Sequence, residues 1–182
     1  MNISLQQAQQ RLAQGEVIAY PTEAVFGLGC DPFNLSAVTR LLALKQRPLE
    51  KGLILVAAQA QAFADLTCLY QQAWSDKVLA SWQDPAQAIT WLLPKTAACP
   101  DWISGQHATV AVRVSHHPQV RALCGEGVLV STSANPASAE PARDCHQVAA
   151  YFGQALPCLD APLGGLAQPS QIWDAQSGTR LR

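Results

Sequence analysis

The chain has 182 residues, of which 49% are hydrophobic and 14% are charged. This length fits one domain, spanning residues 1–182, and the hydrophobic content is enough to bury a sizeable core. The formal net charge of −1 argues against a protein whose whole surface binds nucleic acid.

Helical patterns occur at several places along the chain. Residues 5–14 put Leu5, Ala8 and Leu12 on one face, Ser4 with Gln7 has the spacing of a capping box, and Gly15 ends the segment. Further helices are predicted at 36–46, 60–80, 118–124 and 145–152.

Short apolar runs of strand length lie between these helices, each bounded by Gly, Pro or polar residues. They cover residues 17–20, 53–57, 89–93, 110–114 and 128–130. The tail reads as a strand at 170–174, a turn at 175–178 and a short strand at 179–182. Strands that alternate with helices predict an α/β fold, here with a mixed sheet.

The start of the chain and its cysteines indicate the compartment. The first seven residues lack the basic and apolar regions of a signal peptide, and no run approaches about eighteen apolar residues. We therefore expect a soluble cytoplasmic protein without a membrane partner. The cysteines lack zinc-ligand spacing, so we expect reduced, buried thiols at all six. They are Cys30, Cys68, Cys99, Cys124, Cys145 and Cys158.

Two segments carry polar or charged groups next to predicted strands. Residues 20–31 carry Thr22 and Glu23 directly after a strand, where α/β sheets bind ligands, although composition alone favours a turn beside core residues. Residues 44–55 gather cations around a proline-fixed turn. These cations either offset a helix dipole or bind polyphosphate or carboxylate.

Two further segments place polar groups in or after apolar strands. Arg113 interrupts the strand at 110–114 and needs an anionic partner, which is either an internal carboxylate or a ligand carboxylate. The polar run at 131–135 either cradles phosphate or caps a turn.

Several common sites have no support in the sequence. The chain lacks the Rossmann, Walker A and nucleophile-elbow motifs, so any ATP site must be built differently. Its histidines have no companion set of metal ligands, and we assign no protein-bound metal site. They are His107, His116, His117 and His146.

In combination and in order, the four segments resemble the YrdC family, in its short, single-domain bacterial form. The resemblance covers nearly the whole chain. In the four segments it is carried by Tyr-Pro-Thr-Glu at 20–23 with Phe-Gly-Leu at 26–28, Lys-Gln-Arg-Pro at 45–48, Ala-Val-Arg-Val at 111–114 and Ser-Thr-Ser-Ala-Asn at 131–135. Pro-Ser at 169–170 adds to it. Residues 85–90 depart from the family pattern, which has a Trp-Pro-Gly-Pro turn ahead of a strand threonine.

The resemblance implies a YrdC-like fold, in which a twisted mixed sheet and its helices surround a large, positively charged concave cavity. It implies that threonine or its carbamate is bound by Thr22, Arg113 and Ser131. It further implies that the nucleotide is bound by Lys45, Arg47, Lys51, Thr109, Ser133, Asn135, Arg143 and Ser170.

The function that the resemblance implies is a nucleotidyltransferase reaction. L-threonine, bicarbonate and ATP would give L-threonylcarbamoyladenylate and pyrophosphate, for threonylcarbamoyladenosine modification of tRNA. No catalytic base is expected, because a carbamate nucleophile is already anionic. Magnesium would arrive with ATP, with Glu23 or Asp31 as outer contacts.

The expected partners follow from the same resemblance. A monomer would pass its product to a downstream tRNA threonylcarbamoyl-transfer complex. The alternative is a non-catalytic module that binds double-stranded RNA or tRNA through phosphate contacts.

Overall fold

The computed structural model describes residues 1–70, 72–137 and 139–182. Its helices are α1 (Leu5–Ala13), α2 (Leu35–Lys45), α3 (Ser75–Ser81), α4 (Asp101–Ser104), α5 (Pro118–Cys124) and α6 (Cys145–Phe152). Its strands are β1 (Asn2–Ile3), β2 (Ile18–Pro21), β3 (Phe26–Gly29), β4 (Ile54–Ala57), β5 (Ile89–Pro94), β6 (Thr109–Val114), β7 (Val128–Ser133), β8 (Cys158–Leu159) and β9 (Gln171–Asp174).

Within these residues the strands form one mixed sheet in the order β1-β8-β2-β3-β7-β4-β6-β5-β9. Strand β4 pairs in parallel with β6 and antiparallel with β7. This register aligns Ile54 of β4 with Ala111 and Ser131 in one row across three central strands. The predicted α/β fold with a mixed sheet is confirmed.

The two faces of the central strands have different surroundings, because successive side chains point to opposite sides of a sheet. Leu55 aligns with Val112 and Val130, and all three are fully buried in the main hydrophobic core. On the opposite face, α1 and α5 cover a smaller cluster that includes Val120 and Val56. Beside that cluster, the row from Ile54 to Ser131 borders a cavity.

Most predicted elements appear close to their expected positions. The capping box at α1 is present, since Gln7 N donates to Ser4 Oγ at 3.3 Å and Ser4 N donates to Gln7 Oε1 at 2.8 Å. Helices α5 and α6 match the predicted bounds, and α2 is shifted by one residue. In the described part of the chain, no helix has the length and apolar character needed to cross a membrane.

The prediction of one helix over 60–80 is wrong. A 3-10 turn spans Ala60–Phe63, and α3 begins only at Ser75, while Gln71 lies outside the described residues. Ser75 Oγ accepts from Gln72 N and donates to Leu69 O, so a side chain takes over the backbone pairing that a continuous helix would use.

Strands β1, β3 and β8 and helix α4 were not predicted. Strand β3 contains two glycines in four residues, and because glycine has a low β-propensity, the local sequence does not predict a strand there. It nevertheless pairs with β2 on one side and β7 on the other. Long-range pairing therefore makes a strand that the local sequence does not indicate.

The expectation that every cysteine is a reduced thiol is wrong for one pair. Cys145, at the start of α6, forms a disulfide with Cys158 in β8, and their Cα atoms are 5.8 Å apart. That separation lies within the usual disulfide range, and only the packing of α6 beside β8 creates it. The thiols of Cys30, Cys68, Cys99 and Cys124 are free.

Candidate functional site

A cavity of about 420 Å³ opens on the sheet face that carries Ile54, Ala111 and Ser131. Its walls come from the turn after β2, the loop between α2 and β4, the ends of β6 and β7, and the segment before β9. This volume falls within the range of small-molecule sites. Segments far apart in sequence thus meet around one concave space.

The three residues predicted to bind threonine or carbamate all line this cavity. Thr22 lies in the turn after β2, where its hydroxyl donates to Val25 O at 2.8 Å and its N–H donates to the same oxygen at 3.0 Å. Since the hydroxyl proton is engaged, the oxygen of Thr22 remains an acceptor for a ligand. Arg113 and Ser131 approach from β6 and β7, and both are buried.

Arg113 has an internal partner. Its Nη1 lies 2.7 Å from Glu23 Oε2, and the two side chains are only 8% and 9% exposed. Ser115 Oγ and His116 N donate to the other carboxylate oxygen of Glu23. The internal-carboxylate alternative is therefore confirmed, and Arg113 also lines the cavity.

The charge state of Glu23 follows from these contacts. Burial disfavours the carboxylate, but the charge of Arg113 and the hydrogen bond from Ser115 outweigh it and lower the pKa of Glu23 to about 2. Because protein donors occupy both of its oxygens, Glu23 is poorly placed for the expected outer contact with magnesium. Asp31 accepts from Phe33 N at 2.9 Å and does not line the cavity.

Arg47 and Lys51 line the cavity as predicted. The guanidinium of Arg47 donates to Gly52 O from Nη2 at 2.9 Å and from Nε at 3.2 Å, which fixes its orientation. Gly52 has a φ of +64°, and a side chain there would meet Ser104 O at 3.0 Å. The glycine thus lets the turn that carries both cations pack against α4.

Lys45 and Asn135 are placed behind the cavity wall rather than in it. Lys45 Nζ donates to Ser133 O at 2.6 Å, to Asn135 O at 2.7 Å and to Asn135 Oδ1 at 3.0 Å. Burial, followed by the nearby charge of Arg47, lowers the pKa of Lys45 to about 8. Lys45 and Asn135 therefore hold the turn after β7, while Ser133 itself lines the cavity.

The residues predicted at the rim divide into two groups. Thr109 and Ser170 line the cavity. Arg143 is exposed just before the start of α6 and does not line the cavity. Thr90 Oγ1 lies 2.8 Å from Ser170 Oγ, so the fully buried threonine of the divergent 85–90 segment supports the rim. Asp84 makes the turn before it, accepting from Ala86 N at 2.9 Å.

Five polar lining residues were not assigned individually to the site, although Thr132 lies in the polar run at 131–135. They are Ser104, His107, Thr132, Gln168 and Arg182. Arg182 Nη2 donates to Ser170 O at 2.9 Å, which ties the last residues to the rim. For Arg182, the signal in the sequence was the predicted turn at 175–178, because this turn folds the tail back along β9 towards the cavity.

The lining is rich in positive charge. It contains four cationic side chains, namely Arg47, Lys51, Arg113 and Arg182, and Glu23 is the only acidic side chain among its described residues. Eight of the twelve Lys and Arg residues and twelve of the thirteen acids lie elsewhere. The cavity is thus suited to an anionic ligand although the chain as a whole is slightly acidic. Across residues 1–70, 72–137 and 139–182, no three His, Cys, Asp or Glu side chains are grouped to hold a metal ion.

The chain is similar to proteins of known family and name. The Sua5/YciO/YrdC family model, described as telomere recombination, matches residues 10–182. A Hydrogenovibrio crunogenus protein named threonylcarbamoyl-AMP synthase is 48% identical, and the match covers 99% of this chain and 97% of the relative. An Acinetobacter baylyi protein of the same name is 49% identical, with 100% and 98% covered.

Solved structures agree with this assignment. P. abyssi Sua5 complexed with L-threonine has a TM-score of 0.81 at 26% identity, and the match covers 97% of this chain but only 54% of the Sua5 chain. E. coli YciO shares the fold, with a TM-score of 0.77 at 20% identity and coverage of 96% and 87%. The present chain belongs to the Sua5/YciO/YrdC family.

Proposed function

We propose that this protein is a threonylcarbamoyl-AMP synthase, which forms L-threonylcarbamoyladenylate and pyrophosphate from L-threonine, bicarbonate and ATP. The curated relatives that match nearly the whole chain at 48% and 49% identity carry this name. Sua5 structures, one of them with L-threonine, share the fold.

The observation that carries the proposal is the convergence of two kinds of group in one cavity. Thr22, Arg113 and Ser131 offer hydroxyl oxygens and a guanidinium, which suit an amino acid. Arg47 and Lys51 offer cations on a separate loop, which suit a phosphate chain. A site that must hold an amino acid and a nucleotide side by side needs both kinds of group, the hydroxyls with a guanidinium and the separate cations.

The chemistry requires positioning and charge stabilisation rather than a strong base. Bicarbonate and the amine of threonine give a carbamate and a molecule of water, and an oxygen of the carbamate forms a bond to the α-phosphorus of ATP. The bond from that phosphorus to the bridging oxygen breaks, and its electron pair leaves with pyrophosphate. Fixed cations stabilise the charge that develops on the phosphate oxygens.

The geometry refines the residue roles within this proposal. Arg47 and Lys51 bind the phosphates of ATP together with magnesium carried by the nucleotide, and Ser133 contacts the nucleotide directly. Lys45 and Asn135 act through the turn that they hold. Thr22, Arg113 and Ser131 hold threonine or its carbamate, with Thr109 and Ser170 at the rim.

The product determines the wider setting. A threonylcarbamoyl group attached to AMP is a mixed anhydride, so it must be transferred to an acceptor before water cleaves it. The proposal assigns this step to a tRNA threonylcarbamoyl-transfer complex in the cytoplasm, and it assigns the synthase reaction to the monomer.

The test is pyrophosphate release from the purified protein, with ATP, magnesium, bicarbonate and threonine each omitted in turn. Dependence on both threonine and bicarbonate, with the adenylate identified by mass spectrometry, is the expected result. If the folded protein shows no turnover but binds double-stranded RNA or tRNA with a steep salt dependence, the alternative of a binding module replaces the synthase.

A further inference from the structure

The contacts of Glu23 exceed what a simple counter-ion requires. Its Oε2 accepts from Arg113 Nη1 at 2.7 Å, and its Oε1 accepts from Ser115 Oγ and from His116 N at 3.1 Å. All three donors belong to the end of β6 or to the residues directly after it. The carboxylate is therefore held on both oxygens and has one orientation relative to Arg113.

The backbone of Glu23 is fixed as well. Leu166 N donates to Glu23 O at 2.9 Å, and Gly164 N donates to Thr22 O at 3.0 Å. A side chain at position 164 would lie 2.9 Å from Glu23 Cα, so only a glycine permits this close approach. The position of the Glu23 carboxylate is thus determined by three segments, namely the turn after β2, the end of β6 and residues 164–166.

We propose that Glu23 is a positioning residue, which holds the guanidinium of Arg113 in the orientation that binds the carboxylate of threonine. This inference rests on the proposed function. Glu23 takes one N–H of Arg113, out of five, and Arg113 also lines the cavity. The carboxylate of Glu23 fixes the plane of the guanidinium. The remaining N–H donors of Arg113 then bind the carboxylate of threonine in that plane.

The charge of Glu23 is as important as its shape. Arg113 is almost fully buried, and a buried cation without an ionised partner is strongly disfavoured. Without the negative charge, the guanidinium turns towards water or towards other acceptors. The phosphate-binding cations Arg47 and Lys51 lie on a different loop, whose contacts do not include Glu23. The effect is therefore confined to threonine.

The experiment compares Glu23→Gln with the wild type in steady-state kinetics and in threonine binding by calorimetry, which needs no turnover. We expect the KM and the Kd for threonine to rise about tenfold to hundredfold, which corresponds to a lost charge-assisted hydrogen bond. The KM for ATP stays within about twofold. Glu23→Asp, which keeps the charge on a shorter side chain, recovers part of the loss.

Two more variants keep the outcome decisive. Ser115→Ala removes one donor to Glu23 but leaves the ion pair, so a rise of a few-fold in the threonine KM is expected even if Glu23→Gln does not fold. Val120→Ala, in the cluster that α5 covers, destabilises the protein at a residue that does not line the cavity. Its threonine KM stays at the wild-type value.

The outcomes separate this inference from the proposed function. If the wild type needs no threonine for pyrophosphate release, the synthase proposal fails. If the wild type needs threonine but Glu23→Gln leaves its threonine KM unchanged or lowers it, Glu23 competes for Arg113 or is irrelevant to it, and the positioning role is overturned. An equal rise in Val120→Ala would also overturn it.

Discussion

Lys45 Nζ donates a hydrogen bond of 2.7 Å to the backbone oxygen of Asn135, across 90 residues of sequence. The same ammonium binds Ser133 O, so a buried lysine at the end of α2 holds the turn that follows β7. Replacing it by Met keeps the approximate length of the side chain but removes the ammonium from both oxygens, of which Ser133 O retains a hydrogen bond from Asn135 N at 3.0 Å.

For Lys45→Met we expect a loss of about 2 kcal/mol in the free energy of unfolding, because two partly buried carbonyl oxygens lose a charged donor. We also expect a higher KM for ATP, since Ser133 is no longer held. Urea unfolding and steady-state kinetics measure the two effects. A raised KM with unchanged stability would mean that Lys45 contacts the nucleotide directly.

Arg47→Ala removes a cation that the oxygen of Gly52 holds in place. We expect the KM for ATP to rise about tenfold or more while the threonine KM changes little, because a charge-assisted hydrogen bond to phosphate is lost. Lys77→Ala, a cation outside the cavity, is the matched control. Equal effects of both variants on ATP would remove Arg47 from the site.

The low pKa of Glu23 predicts how stability depends on pH. The folded pKa of about 2 lies below the ordinary value of 4.5, so the stabilisation is complete above about pH 4.5 and is lost as the pH falls through 2. Between pH 7 and pH 3 the wild type should lose about 2 kcal/mol more than Glu23→Gln. Parallel urea curves check this, and identical pH profiles would contradict the low pKa.

The disulfide between Cys145 and Cys158 closes a short loop. We expect reduction to lower the free energy of unfolding by about 3 kcal/mol, since loops of this length gain that much from closure. Unfolding with and without reductant measures the change, and the doubly substituted Cys145→Ser/Cys158→Ser protein should not respond to reductant. Alkylation of all six cysteines without reduction would show that the bond does not form.

Much of the fold was predictable because local signals agree with the global structure. Helix α6 starts after Asp144, whose carboxylate accepts from Gln147 N, and ends at Gly153. Such caps are visible in sequence. In contrast, the segment at 60–80 has helical composition, but side-chain bonds to the backbone around Ser75 compete with a continuous helix.

The site was predictable in its residue types but not in their connections. Arg113 was known to need an anion, yet Glu23 lies 90 residues away, and only the pairing of strands brings the two together. The family resemblance implies that Lys45 and Asn135 are nucleotide ligands. Packing turns their donors and acceptors towards each other, and no local rule contains that information.

The placement of charge in this molecule also discriminates by size. A nucleoside triphosphate is small enough to enter the cavity and bind its guanidinium and ammonium groups. A long polynucleotide first contacts the rest of the protein, which carries eight basic and twelve acidic residues. Added salt should therefore slow the capture of ATP, because it screens the attraction that draws the triphosphate inward. For a duplex RNA the same salt weakens a repulsion, so the two polyphosphates should respond to ionic strength in opposite directions.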